Sequence, residues 1–252
     1  MKASTRAEIK RIMEDFVALQ APKFQRISVT ELRLAYPFHR LVFPDSAILA
    51  SRLERSIVTA MGRDLYPRLA EAVALDKYNV VRRNHPLDGQ LNDAACNLIE
   101  QIVTELRARS QKGVSRRKPD HFRELADILA SRGGGIREVP VIADLYVGDF
   151  SEGPLFLELK TPLPNLDIAA ESKRKMLYYL ALMDRRSVKE AKALLGLTYN
   201  PYVTRAKYAH SFTKQIMDME HEVLLGQELW DYLGGNGTYQ ELLSIIDSIR
   251  RL

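Results

Sequence analysis

The sequence contains a single cysteine and no apolar run long enough to cross a membrane. Cys96 cannot form an internal disulfide, and its apolar helical surroundings indicate a core thiol in a reducing compartment. A transmembrane helix needs roughly 18 consecutive apolar residues, so we expect a soluble protein with no membrane role. Residues 1–13 carry scattered charges where a signal peptide would have an apolar core. These absences together predict a cytoplasmic protein.

Several binding motifs are also missing. The five histidines show no metal-ligand spacing with Cys96, which argues against a zinc site. Residues 234–237 are glycine-rich but lack the lysine and hydroxyl side chain of a phosphate-binding loop, so they indicate a turn or a loop close to a bound partner. The chain does carry a modest positive charge, +5 from 37 Lys and Arg against 32 Asp and Glu. This charge permits an anionic partner without requiring one.

Most of the chain has the periodicity of helices, with apolar residues every three or four positions. The predicted helices cover residues 4–20, 46–74, 88–109, 120–131, 168–183, 188–195 and 241–250. Asn165 is expected to cap the helix that follows it.

The pattern changes at residues 139–161. Residues 139–148 are β-branched and apolar, 149–154 are turn residues, and 155–161 form a second apolar run, which together predict a β-hairpin. Further strands stay open, with 192–199 and 203–208 as candidates. We therefore predict a single domain of residues 1–252 in the α/β class, with a helical part at about 1–130, the hairpin, and a helical C-terminal part. A small sheet would pack between helices from both halves.

Three charged side chains converge on this hairpin. Alternate residues of a strand share a face, so Glu158 and Lys160 point the same way while Leu159 and its leucine neighbours point into the core. A turn centred near Ser151 brings Asp144, on the partner strand, close to Glu158. Two carboxylates and one ammonium group would therefore lie together.

This constellation suits Mg²⁺-dependent hydrolysis of a phosphodiester. Mg²⁺ takes oxygen ligands, typically from one or two carboxylates together with phosphate and water. Asp144 and Glu158 are the expected ligands, and Leu159 is also expected to take part in metal binding. Lys160 would orient the attacking water and stabilise the developing charge. In-line attack would leave a 5′-phosphate and a 3′-hydroxyl. The alternative is an ordinary ion pair on an exposed strand face.

Asp144 with the triplet Glu158–Lys160 resembles the motif of the PD-(D/E)xK nuclease superfamily. Pro140 is not adjacent to Asp144, so the first half of the motif is imperfect. The resemblance implies that Asp144, Glu158 and Lys160 are the catalytic residues.

A narrower resemblance is to the TdeIII-type type II restriction endonucleases. It covers most of the chain from about Leu53 onward and is carried by segments 158–167, 199–202 and 226–243, with 54–56 and Gly62. It implies a restriction-endonuclease-like mixed sheet flanked by helices, Mg²⁺, and double-stranded DNA cut at a short palindromic, GGNCC-like site. Because two-fold symmetric DNA is most simply read by a two-fold protein, we expect a homodimer. A cognate DNA methyltransferase would be its genetic partner.

Other charged residues are candidates for supporting roles. Five could contact DNA phosphates, each adding salt-dependent affinity, with solvated surface as the alternative: Lys112, Arg116, Arg117, Lys118 and Lys173. Two could approach the metal indirectly, with a plain helix surface as the alternative: Glu54 and Glu171.

Three functions remain open at this point. The first is a type II restriction endonuclease, and the second is a repair or recombination nuclease that reads DNA structure. The third is a DNA-binding protein without catalysis, in which the charged triplet is a surface ion pair.

Overall fold

The computed structural model describes residues 1–25, 28–108, 116–186 and 190–250. Its helices are α1 (Ala3–Gln25), α2 (Val29–Ala35), α3 (Asp45–Ala60), α4 (Tyr66–Leu75), α5 (Asp93–Arg107), α6 (His121–Ala130), α7 (Leu166–Arg185), α8 (Ser211–Ile216), α9 (Gln227–Gly234) and α10 (Thr238–Arg250). A single π-helical turn, Met61–Leu65, joins α3 to α4. None of the helices in these ranges is long and apolar enough to cross a membrane.

One mixed sheet organises these helices. Its strands are β1 (Val81–Asn92), β2 (Ile136–Val147), β3 (Leu155–Lys160), β4 (Lys192–Leu197) and β5 (Val223–Leu225), in that spatial order. The first three strands pair antiparallel, whereas β3–β4 and β4–β5 pair parallel. The helix α7 provides the crossover that parallel strands need. The predicted class, a mixed sheet flanked by helices, is confirmed.

Both faces of the central strand β3 are covered, because a strand sends alternate side chains to opposite sides. Leu155, Leu157 and Leu159 pack into a core formed with α1, α4, α9 and α10. Phe156 packs into a second core on the other face, beneath α5 and α7. Glu158 shares the face of Phe156 and is therefore a buried residue, not a solvated one.

The structure confirms most of the predicted helices and the hairpin, and it corrects three predictions. Residues 88–92 end strand β1 instead of starting a helix, so α5 begins at Asp93. The predicted helix at 188–195 overlaps strand β4, and the predicted strand at 203–208 is a turn with a short 3₁₀ segment. The candidate strand at 192–199 is confirmed by β4. Asn165 caps α7 as expected, its side chain accepting a 2.8 Å hydrogen bond from Ile168 N.

Lys173 does not lie on a surface that could contact DNA. Its side chain is fully buried, and its Nζ lies 2.5 Å from both Glu124 Oε2 and Glu222 Oε1. Glu124 belongs to α6 and Glu222 immediately precedes β5, so the lysine joins three parts of the fold. Arg117 and His121 flank the same carboxylates, at 3.8 Å from Glu124 and 3.2 Å from Glu222.

Burial sets the electrostatics of this cluster. It raises the pKa of Glu124, and the attraction of Lys173 offsets that effect only in part. Burial alone would also raise the pKa of Glu222, but Lys173, His121 and the amide of Asp218 hold it below its ordinary value. Lys173 therefore compensates two desolvated carboxylates at once.

The variant Lys173→Met should lose about 3–5 kcal/mol of unfolding free energy, because it leaves two buried carboxylates without their cation. In urea unfolding, the loss should be largest at alkaline pH. Without the lysine, the folded-state pKa values of Glu124 and Glu222 rise, and an acid with a raised folded-state pKa stabilises the fold only while protonated. The neighbour Arg174 makes only partly exposed ion pairs, so Arg174→Ala should cost about 1 kcal/mol or less. Equal losses for the two variants would contradict this interpretation.

Candidate active site

The site begins where the antiparallel pairing of β2 with β3 ends. The last antiparallel pair is Leu145 with Leu157, so the residues of β3 beyond it have no β2 backbone beside them. The side chain of Asp144 takes over, and its Oδ2 accepts a 2.8 Å hydrogen bond from Leu159 N. Because a part-buried amide needs an acceptor, this bond fixes the Asp144 carboxylate over the end of β3.

The buried side chains of β2 change from one face of the sheet to the other at Asp144. Ala143 belongs to the core beneath α7, whereas Leu145 belongs to the core on the opposite side. The neighbouring strand β1 is irregular at the same level, where Asn84 has a φ of 48°. Ile142, two residues before Asp144, is 52% exposed. The change of core falls at Asp144, whose carboxylate lies at the end of β3.

Two cations hold the two carboxylates together. Lys160 Nζ lies 2.5 Å from Asp144 Oδ2 and 3.2 Å from Glu158 Oε2. From the side of α7, Lys175 Nζ forms an ion pair with Glu158 Oε1 and lies 4.0 Å from Asp144 Oδ1. Tyr179 O–H lies one turn further along α7, 2.6 Å from Glu158 Oε1 and 2.7 Å from the carbonyl oxygen of Ile142. The cluster is thus a neutral set of two anions and two cations.

The cluster has a closed base and an open side. The side chain of Glu158 is only 1% exposed, whereas Asp144, Lys160 and Lys175 are 27%, 26% and 19% exposed. Burial alone would lower the pKa of Lys160, but its contacts with Glu158 and Asp144 outweigh that effect and raise it. Burial, reinforced by Glu158, raises the pKa of Tyr179. At neutral pH, Lys160 is therefore a cation and Tyr179 a neutral hydroxyl.

The donor set fits a hard divalent cation. Asp144 and Glu158 present carboxylate oxygens to one small volume, and oxygen is the ligand that Mg²⁺ prefers. In the part of the chain that the structure describes, no group of three or more His, Cys, Asp or Glu residues could hold a metal. A cation here would rest on two carboxylates, with water and phosphate oxygens completing its shell. Leu159 could contribute only through its main chain, because its side chain is buried in the core.

The sequence of this chain is similar to known proteins. A family model described as "Type II restriction endonuclease, HinfI" matches residues 1–250. The chain belongs to this family. The match includes the first 45 residues, which contributed little to the resemblance seen in the sequence. The membership makes the chain a nuclease-type hydrolase with DNA as its implied substrate, and the prediction of a type II restriction enzyme is confirmed at this level.

Individual relatives agree with the family. The chain is 30% identical over 211 residues to the type II restriction enzyme HgiCII of Herpetosiphon aurantiacus, covering 83% of this chain and 75% of the relative. It is 28% identical over 260 residues to HgiBI of the same organism, covering 97% and 93%. It is 21% identical over 272 residues to MjaII of Methanocaldococcus jannaschii, covering 96% and 70%. No solved structure matches the chain significantly.

The residues predicted to contact DNA in this HinfI-family chain lie in different environments. Lys112 lies outside the described residues. Arg117 is occupied by ion pairs with Glu105 and Glu124 and has a 22% exposed side chain, so its contacts are structural. Arg116 is half-buried and Lys118 exposed, and their contact with DNA stays a prediction.

The two predicted supporting glutamates lie near the site without touching it. Glu171 is one turn before Lys175 on α7, is 57% exposed and pairs with Arg174. Glu54 is exposed on α3 and raises the pKa of Tyr199, although burial contributes more to that shift. Among the described contacts, none joins either glutamate to Asp144 or Glu158. Their indirect role at the metal stays a prediction.

Two residues of the cluster, Lys175 and Tyr179, were absent from the site predicted from sequence. In the sequence, Lys175 is the last residue of the basic run 173–175. The available signal was the spacing of four between Lys175 and Tyr179, which places them on one helix face. That spacing could not show which face of α7 meets Glu158.

We expect Ca²⁺ to raise the melting temperature, because a ligand that binds only the folded state stabilises it. At about 100 times its Kd, the ion should add about 2.7 kcal/mol to the unfolding free energy. The shift should disappear in Asp144→Asn and in Glu158→Gln. It should persist in Asp127→Asn, a control carboxylate on α6 that is 49% exposed. An undiminished shift in the first two variants would exclude these carboxylates as ligands.

Proposed function

We propose that this chain is a Mg²⁺-dependent type II restriction endonuclease whose active site is of the PD-(D/E)xK kind. The observation that carries the proposal is the convergence of Asp144, Glu158 and Lys160 within hydrogen-bonding distance at the end of β3. A surface ion pair does not explain this arrangement, because Glu158 is buried beneath α7. Membership of a restriction endonuclease family supports the same function.

Asp144 and Glu158 would hold the metal, with the main chain of Leu159 as a further ligand. When bound there, Mg²⁺ would supply charge neutralisation at the scissile phosphate and a water of lowered pKa. The hydrogen bonds from Leu159 N and Tyr179 O–H orient the two carboxylates. Because these donors are built into β3 and α7, the ligands are arranged before DNA binds, and little reorganisation is needed.

Lys160 would act as a cation rather than as a base. Its contacts with Glu158 and Asp144 raise its pKa, so its ammonium group can donate to a water oxygen or a phosphate oxygen. Its position on the open side of the cluster puts it where a phosphate would arrive. Attack in line with the leaving group would give 5′-phosphate and 3′-hydroxyl ends.

Lys175 would supply a second positive charge opposite Lys160. It contacts Glu158 from α7 and is 19% exposed, so it can reach both the carboxylate pair and an approaching anion. A positive charge that is already positioned where negative charge develops stabilises the transition state most strongly in a site that excludes much of the water. We assign Lys175 to the positioning of Glu158 and of the phosphate.

The remaining features of the proposal follow from the resemblance to TdeIII-type enzymes. They are a single endonuclease domain, a GGNCC-like recognition site, a homodimer with one active site for each DNA strand, and a cognate methyltransferase that protects the host's sites. Incubating the protein with phage DNA and Mg²⁺ and sequencing the fragment ends tests the site, the end chemistry and the metal requirement together. Structure-dependent nicks without defined bands would favour a repair nuclease instead.

Asp144→Ala and Lys160→Ala should reduce the cleavage rate of plasmid DNA by at least about 100-fold, the effect of removing one preorganised charge-stabilising group. DNA binding in Ca²⁺ should survive in Lys160→Ala, since phosphate contacts elsewhere supply most of the affinity. Lys192→Ala is the matched control, because the ion pair that the structure describes for that lysine is with exposed Glu152. Full activity in the two site variants would refute the assigned chemistry.

Lys175→Met should lower kcat by about 10- to 100-fold while changing the Kd for DNA little, because the charge acts mainly when the phosphate reacts. Lys175→Arg should recover part of the rate, since it restores the charge with different geometry. A purely structural lysine would instead lower the melting temperature and leave kcat of the folded fraction unchanged. Single-turnover cleavage and thermal unfolding on the same samples separate these outcomes.

A further inference from the structure

An apolar segment projects from the N-terminal third of the chain. It comprises residues 29–43, called here the arm, and consists of α2, a turn and a short 3₁₀ segment at His39–Leu41. Its large apolar side chains are exposed to unusual degrees: Val29 47%, Leu34 78%, Phe38 80%, Leu41 82%, Val42 77% and Phe43 52%. Isolated exposed leucines are ordinary in proteins, but a cluster of this size within fifteen residues marks an interaction surface.

The arm is anchored to the fold even though its apolar side chains are exposed. Leu32 is buried, at 1% exposure. Arg33 Nε donates a 2.8 Å hydrogen bond to Asp45 Oδ2 at the start of α3. The backbone of Phe43 closes the 3₁₀ turn with a 2.9 Å bond to His39 O. The arm therefore presents its apolar side chains from a defined structure.

The exposed apolar area of the arm is similar to the area that each partner buries in a stable dimer. Six such side chains expose on the order of 800 Å², since a large apolar or aromatic residue offers roughly 150–250 Å². A standard protein–protein interface buries about 800 Å² on each partner. The arm alone is thus sufficient for a specific contact.

The charges of the arm indicate the nature of the partner. The arm carries Glu31, Arg33 and Arg40, and Asp45 at the start of α3 pairs with Arg33 and also attracts Arg40. A surface for DNA would need an excess of cations along it, whereas these two arginines are balanced by two carboxylates, and the arm has no lysine. An apolar patch without net charge can face an identical patch without strong like-charge repulsion, as an isologous two-fold interface requires.

We propose that the arm is the dimer interface, and that its occupant is the arm of a second copy of this chain. The proposal deepens the proposed function and rests on it only for the purpose of the dimer. Helix α3 links the two sites: it begins beside the arm and runs into the π-helical turn. There, a Cβ on Gly62 would lie 3.7 Å from Thr161, the residue after Lys160. Pairing of the arms would therefore fix the two active sites relative to each other.

Sedimentation equilibrium without DNA or metal tests the association directly. The wild-type protein should be a dimer at micromolar concentration, and Phe38→Glu/Leu41→Glu should weaken the dimer by at least about 100-fold, because charges would face each other in the interface centre. Phe122→Glu is the matched control, since Phe122 is an exposed aromatic residue on α6, at 64% exposure, and it should stay dimeric. A monomeric wild type, or a dimeric double variant, would overturn the proposal.

Cross-linking supplies a second reading that does not depend on the double variant folding. The chain's single cysteine is buried, so Val42→Cys adds the accessible thiol, and a bismaleimide should join two copies. Phe122→Cys should give no linked dimer. A Val42→Cys dimer that does not cross-link would show that the arm is not part of the interface. Cleavage is measured separately: a dimer that cuts no DNA would contradict the proposed function and leave this interface intact.

Discussion

A carboxylate buried inside a sheet is stable only if other groups replace the water it has lost. Glu158 is in that situation, and Lys160, Lys175 and Tyr179 are the replacements. Each comes from a different position: the end of β3 itself, and two successive turns of α7. Much of the surrounding architecture serves this requirement, because α7 must cross β3 closely for its lysine and tyrosine to reach the carboxylate.

The run Lys173–Lys175 shows how strongly helix geometry divides adjacent residues. Successive side chains on a helix point about 100° apart. Lys173 is therefore buried between two glutamates, Arg174 lies at the surface with Glu100 and Glu171, and Lys175 reaches the candidate active site. Three adjacent basic residues thus occupy three separate environments. Charge alone could not separate them, since the facing of α7 depends on packing against the distant strands β1 and β4.

The hairpin and its charged triplet could be predicted because both depend on local, period-two patterning and a short turn. Strand β1 could not, because it is an edge strand that includes Pro86 and Gly89, residues that argue against a strand in a sequence. The parallel pairing of β4 with β3 could not be predicted from the sequence either, because the two strands are joined through the α7 crossover. The hairpin accounts for Asp144 and Glu158 both contacting Lys160, whereas the change of core along β2 at Asp144 depends on tertiary packing.

The crossover also bears on how the protein is made. During synthesis, the hairpin of β2 and β3 leaves the ribosome before α7 and β4 do. A nascent chain can therefore contain Asp144, Glu158 and Lys160 while still lacking Lys175, Tyr179 and the neighbouring parallel strand. The carboxylate pocket needs α7, and the parallel pairing needs β4, which follows α7 in the chain. A cell producing this chain is thus exposed to an assembled pocket only after most of the polypeptide has been translated.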